Sequence, residues 1–146
     1  MSETTSQQLV VFSLGAEEYA LPIAAVHEII RFSEPRSVAS EVAWIRGVIG
    51  LRGKIIPIFD LAARLGLAGS GGEPGKIVIL ETGTGQVGVM VDDVEEVLTV
   101  EPSQLEDVPT ANRDSIEAIA KIDDRLVVLL NADGLFAREA EPARAA

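Results

Sequence analysis

Apolar residues along this chain come in short dense runs, separated by glycine, proline and acidic positions. Residues 9–14, 19–23 and 28–32 carry the β-branched and aromatic content of strands, and 77–81, 86–91 and 96–100 repeat it. Gly15-Ala16-Glu17-Glu18 and Thr82-Gly83-Thr84-Gly85 are the predicted hairpin connections within the two sets, with glycine free to take positive φ. On the strand that begins near Val26, alternation puts Val26, Glu28 and Ile30 on one face and His27, Ile29 and Arg31 on the other.

The two sets are copies. Laid over each other with a shift of 68, residues 10–32 and 78–100 share large apolar side chains at ten of 23 positions, although only four are identical. A pattern that outlasts identity in this way is what a duplicated structural unit leaves behind. With a shift of 71, residues 55–60 fall on 126–131. Both runs end in a good helix N-cap: Asp60 before a predicted helix over 61–65 stopped by Gly66, and Asn131 before one over 132–138. Capping is local chemistry, independent of the apolar pattern, so it supports the duplication separately.

Five short strands per half predict two small barrels or curled sheets, each covering most of its own open edge. Neither is large enough to be stable alone. The expected organisation is a single domain over 1–146, with barrel one at about 9–67, barrel two at about 76–136 and a shared core. The glycine-rich stretch 69–75 is the exposed connection, and 138–146 a flexible tail. Two like units packed together leave a groove, and spare apolar side chains along it suit an amphipathic helix.

Composition narrows the function. An apolar fraction of 47% supports a folded core. A net charge of −11 repels phosphate backbones and anionic headgroups, which argues against nucleic-acid and membrane-surface partners. The chain has no cysteine, which removes disulfides, thiolate metal sites and cysteine nucleophiles. Its first residues lack the order of a signal peptide, and no apolar run approaches the ~20 residues of a membrane helix.

Candidate chemistry is sparse. His27 is the only histidine, no G-x-S-x-G motif accompanies it, and its counterpart in the second copy is Glu95. It fits an exposed strand histidine better than a general base. Asp92, Asp93 and Asp123 stand in acidic turns without the D-x-[DN]-x-[DN]-G order of a calcium loop. A metal-dependent enzyme built on these residues and His27 is therefore the weakest alternative, and no catalytic residue, metal ligand or cofactor is assigned. Arg52, in Gly50-Leu51-Arg52-Gly53 between two apolar runs, either braces a hairpin against a carboxylate or faces a ligand.

An ordered series of motifs then stands out. Glu18-Tyr19-Ala20-Leu21-Pro22-Ile23, Val26, Glu28-Ile29, Trp44-Ile45-Arg46-Gly47-Val48 and the run from Leu51-Arg52-Gly53-Lys54 through Leu61 resemble the CheW chemotaxis coupling-protein family. Val87 through Val94 resembles it too, and the likeness spans Gln8 to Phe136. The resemblance implies a mostly β fold of two intertwined five-stranded SH3-like β-barrels with short helices. It implies a non-enzymatic, cytoplasmic adaptor without cofactor, recruited to membrane-associated receptor arrays but not inserted in the membrane. The implied partners are the cytoplasmic tip of methyl-accepting chemoreceptors, a helical hairpin, and the regulatory domain of a CheA-type histidine kinase. Carried over by position, Val26, Arg52 and Val97 fall at the receptor contact, with Ile23 and Val94 as neighbours of the groove. Glu28 and Gly47 fall at the kinase contact. Two residues depart from the family pattern: Gly50 where asparagine is frequent, and Val42 where proline is. An adaptor of the same fold in a non-flagellar receptor–kinase system, controlling pilus motility, development or biofilm state, is the alternative.

Overall fold

Each apolar run becomes a strand, because β-branched side chains fit a pleated surface buried on one or both faces. A computed structural model describes residues 6–38, 44–66, 74–83, 85–107 and 115–135; Val42 and the expected tail over 138–146 lie outside them. The strands are β1 (Gln7–Leu14), β2 (Glu17–Pro22), β3 (Val26–Arg31), β4 (Ile45–Leu51), β5 (Lys54–Asp60), β6 (Lys76–Thr82), β7 (Gly85–Val91), β8 (Asp93–Val100), β9 (Leu105–Glu106), β10 (Ile116–Ile122) and β11 (Arg125–Leu130). One helical turn, α1 (Leu61–Arg64), follows β5, capped by Asp60 Oδ1, which accepts from Ala63 N at 3.2 Å. After β11, Asn131 Oδ1 accepts from Gly134 N at 3.1 Å in the same way.

One sheet runs β8-β1-β2-β11-β10-β9 and the other β3-β6-β7-β5-β4. Replacing every strand of the second sheet by its duplicate reproduces the first five strands of the first. Even the registers agree: Ile77 faces Ile30 as Leu9 faces Leu98, and a bulge breaks both ladders just past the next inward position, after Ile79 and Val11. The sixth strand is no exception. β9 pairs Glu106 with Ile119, and in the other sheet the bridge between Arg36 and Val48 occupies the same place.

The sheets divide the chain differently from the duplication. The β1–β2 hairpin of the first half sits in the sheet otherwise built by the second, and β6–β7 makes the reciprocal move. The expected limits at 9–67 and 76–136 follow the repeat along the chain, whereas each sheet takes two strands from the other half. A short 3-10 turn, Ile23–Ala25, carries the chain from β2 in one sheet to β3 in the other. The two curled sheets fit SH3-like barrels, and this exchange is what intertwines them.

The exchange also explains why the runs are continuously apolar. Leu9, Val11, Ala20, Val127 and Leu129 fill one barrel, while Ile56, Ile58, Ile77, Ile79 and Met90 fill the other. The alternate residues Phe12, Leu14, Tyr19, Leu21, Phe59, Val78, Leu80 and Leu130 form a third cluster shared by both halves. Central strands with two buried faces need apolar side chains at every position.

Candidate functional site

The β4–β5 hairpin turns through Arg52 and Gly53, at φ 51° and φ 81°. A two-residue connection of this hand needs positive φ at both positions, which suits Gly or Asn far better than Arg. The equivalent turn of the second half uses Asp123, at φ 55°. Arg52 is therefore held in a conformation its side chain disfavours. Its Nη1 donates a short hydrogen bond to Glu28 Oε1 on β3, across the closure of the barrel. That bond, ahead of charge attraction, holds the Glu28 carboxyl below the usual carboxylate range and raises the Arg52 guanidinium further. Of the two alternatives posed for Arg52 the structure shows the brace of the hairpin on a carboxylate, with the Arg52 side chain 68% exposed against 23% for Glu28.

His27 lies beside this pair. Its Nε2 is 3.7 Å from Glu28 Oε1 and its Nδ1 is 3.9 Å from Glu81 Oε1 on β6. Gln86 Nε2 on β7 donates to the same Glu81 oxygen at 3.1 Å. With Leu51 and Lys54, four of these side chains (His27, Glu28, Arg52 and Gln86) line a cleft of about 120 Å³.

The apolar candidates sort by the junction of the sheets. Val26 and Val94, duplicates at the starts of β3 and β8, are half-buried against the shared core. Ile23 is exposed in the turn that packs on β1 and β6, where the two sheets meet. Val97 faces outward on β8, as its duplicate Ile29 does on β3. The structure thus joins Glu28 and Arg52 directly, places Val26 on the same strand as Glu28, and puts Val94 and Val97 on the other sheet. Gly47 is different in kind. It is buried at φ 147°, and a Cβ there would stand 2.2 Å from the Arg36 carbonyl oxygen. It permits the Arg36–Val48 bridge, and presents no side chain to a partner. At Gly50 nothing lies within 4 Å of an added Cβ, so that departure costs no packing.

Two exposed residues escaped the sequence reading. Ile55 is 75% exposed and its duplicate Leu126 is 61% exposed. An unbroken apolar run hid them; alternation from the interior pair Ile56 and Ile58 could have marked Ile55 as outward.

The acidic turns are engaged structurally. Asp92 Oδ2 accepts from Gly15 N at 2.7 Å, and Asp93 Oδ1 accepts from Val94 N at 2.9 Å and Lys76 Nζ at 3.4 Å. A cleft of about 400 Å³, lined mainly by the second sheet and its connections, opens beside Asp92, and there Arg46 Nη1 donates to Asp60 Oδ2 at 3.2 Å. Among the described residues no three His, Asp or Glu side chains are placed to hold a metal ion. What the geometry shows is one exposed arginine held at positive φ and bonded to a carboxylate.

A family model described as CheW-like domain matches residues 8–140. The chain belongs to the CheW-like domain family. It is 31% identical over 142 residues to the chemotaxis protein CheW of Klebsiella aerogenes, covering 94% of this chain and 86% of that one. It is 32% identical over 140 residues to chemotaxis protein CheW of Bacillus subtilis, covering 92% and 90%. The crystal structure of scaffolding protein TtCheW from Thermoanaerobacter tengcongensis matches with a TM-score of 0.85 and 32% identity, over 96% of this chain and 99% of that one. The CheW-like fold here serves a chemotaxis coupling adaptor; a non-flagellar system is not favoured. Among the described residues no helix is long and apolar enough to cross a membrane.

Proposed function

We propose that this chain couples the cytoplasmic tip of methyl-accepting chemoreceptors to the regulatory domain of a CheA-type histidine kinase. It does so in the cytoplasm, recruited to membrane-associated arrays, and catalyses no reaction itself. The observation that carries this reading is the Arg52–Glu28 bond. It links the arginine expected at the receptor with the carboxylate expected at the kinase, so a partner that takes one group changes what is offered by the other. Linkage then makes the two affinities interdependent, by a few kcal/mol at most. Receptor contact involves Ile23, Val26, Arg52, Val94 and Val97. Kinase contact involves Glu28 and, through the Arg36–Val48 bridge, Gly47.

Co-purification with the endogenous receptor and kinase tests the pairing. Arg52→Ala and Val97→Asp, both at exposed positions, should fold as wild type and retain less receptor. Wild-type recovery of receptor by both variants would remove the assignment of the groove.

A further inference from the structure

We infer that Arg64 is a positioning residue for kinase contact: stacked on Trp44, it fixes the start of β4, the strand that carries Gly47. The inference rests on the kinase reading above and adds to it a residue outside the interface. β4 is the last strand of its sheet, and its ladder with β5 shifts register between Ile45 and Gly47. A bulge near the start of an edge strand weakens the pairing there, so the strand end needs another anchor. Trp44 is that anchor. Its carbonyl oxygen accepts from Asp60 N at 2.7 Å, and its half-buried ring packs on the shared core. The indole Nε1 is buried and meets no hydrogen-bond partner among the described residues. Over the ring, 5.1 Å from its centroid, stands Arg64 Cζ. Arg64 is held there in turn: its Nε donates to the Leu135 carbonyl oxygen at 3.1 Å, in the turn after β11. That turn is firmly seated, with the Leu135 side chain fully buried and Asp133 Oδ1 accepting from Gly83 N at 3.2 Å. The second half of the chain thus sets a charge on the entrance to an edge strand of the first.

The duplication shows what the stack adds. With the shift of 71, Trp44 falls on Ser115 and Arg64 on Leu135. The backbone device is the same in both halves: Ser115 O accepts from Asn131 N at 2.8 Å, and β10 shifts register between Ile116 and Ala118. The second half builds this end of its barrel from a buried serine and a buried leucine, with neither ring nor charge. The fold therefore does not require the stack. What sets the first half apart is its edge. Beyond β10 stands β9, paired through Glu106 and Leu105; beyond β4, among the described residues, stands the lone Arg36–Val48 bridge. Gly47 and that bridge are the kinase contact of the proposed function. A partner that reads a sparsely paired strand gains affinity when the strand end is already in place.

The test measures binding of the kinase regulatory domain, and separately of a soluble chemoreceptor-tip hairpin, to the full chain. Arg64→Met keeps the length and apolar stem of the side chain but removes its charge and its donors. It should weaken kinase binding about two- to fivefold, the size of one cation–π contact, and leave hairpin binding unchanged. Arg64→Lys, which can return a cation to the ring, should recover most of that loss. In a Trp44→Leu background Arg64→Met should cost no further kinase binding, because the ring it acts through is gone. Hydrogen exchange at the Asp60 amide, which donates to Trp44, should quicken in Arg64→Met. Equal losses for both partners, no loss for either, or an undiminished loss in the Trp44→Leu background overturn the inference and leave the kinase reading intact. Failure of the wild type to bind the kinase domain overturns the kinase reading and this inference with it.

Discussion

Gly88, in the middle of β7, is where barrel packing is tightest. A Cβ added there would fall 2.6 Å from Ile58 Cδ1, 2.9 Å from Ile77 Cγ2 and 3.3 Å from Ile79 Cδ1. Carbon atoms in contact sit about 3.5–4.0 Å apart, so the nearest must retreat by roughly 1 Å. All three isoleucines are fully buried, which leaves little space to retreat into. Overpacking of this kind costs about 1–3 kcal/mol. Replacing glycine with alanine also restricts the unfolded chain, which offsets about 0.4–1 kcal/mol. Gly88→Ala should therefore lose about 1–2 kcal/mol in urea unfolding, read as a lower midpoint at constant m. Ile58→Val removes the closest methyl and alone costs about 0.5–1.5 kcal/mol. Combined, the two changes should cost clearly less than their sum, because the second makes room for the first. The duplicated barrel is the natural control: Ala20 stands at the equivalent position, facing the barrel of Leu9, Val11 and Leu129. A wild-type midpoint for Gly88→Ala, or strict additivity in the double variant, would falsify the packing argument.

Other consequences are direct. Gly47→Ala drives a Cβ into a backbone oxygen at a disfavoured φ, so it should cost on the order of 3 kcal/mol and speed hydrogen exchange at the Val48 amide, which donates to Arg36. Kinase binding lost in that variant without faster exchange at Val48 would point to direct contact instead. The Glu28 carboxyl is held below its ordinary 4.5, so its stabilisation is fully present above that pH and is lost as pH falls through the lower folded value. Glu28→Gln should therefore narrow the gap in stability between wild type and variant as unfolding is followed from pH 6 to pH 3; a constant gap refutes the linkage. Because each sheet borrows a hairpin from the other half, separate polypeptides covering 1–70 and 71–146 should each lack cooperative unfolding and regain it on mixing. A single fragment that melts cooperatively as a monomer would contradict the exchange.

Much of the fold was legible because duplication and periodicity leave local signals. The strand set, both caps and the division of β3 into a face with His27, Ile29 and Arg31 and a face with Val26, Glu28 and Ile30 could be read from residue types alone. The exchange of hairpins could not, because apolar pattern records that a face is buried and not which half buries it. Pairing of β2 with β11 and of β5 with β7 is parallel and long-range, and no turn chemistry specifies it. At the site, residue type placed Arg52 between two roles and position placed Glu28 near a partner. Their bond depends on barrel closure, which only the three-dimensional arrangement provides. At Gly47 the family resemblance points to an interface, and the structure adds the demand of a close backbone approach from Arg36. A single sequence does not distinguish those causes.

The two halves share a scaffold and differ in where they spend an arginine. Glu28 and Glu96 are duplicates, and each meets a guanidinium from the opposite hairpin. In the first half it comes from the turn, as Arg52, with one carboxylate and 68% of its side chain exposed. In the second half Asp123 occupies the turn, and the arginine sits two residues later on β11. Arg125 Nε and Nη2 donate to the two oxygens of Glu18 at 3.1 and 3.2 Å, and Nη2 also reaches Glu96 at 2.7 Å. Those bonds raise the Arg125 guanidinium above its ordinary range, Glu96 contributing most. Arg125 thus ties β2, β8 and β11 together and keeps little to offer outside. Arg125→Ala should lower the unfolding midpoint more than Arg52→Ala, while Arg52→Ala should be the one that loses receptor. The reverse ranking in either measurement would mean that the turn arginine serves the barrel, and that the exposed charge of this adaptor must be sought elsewhere.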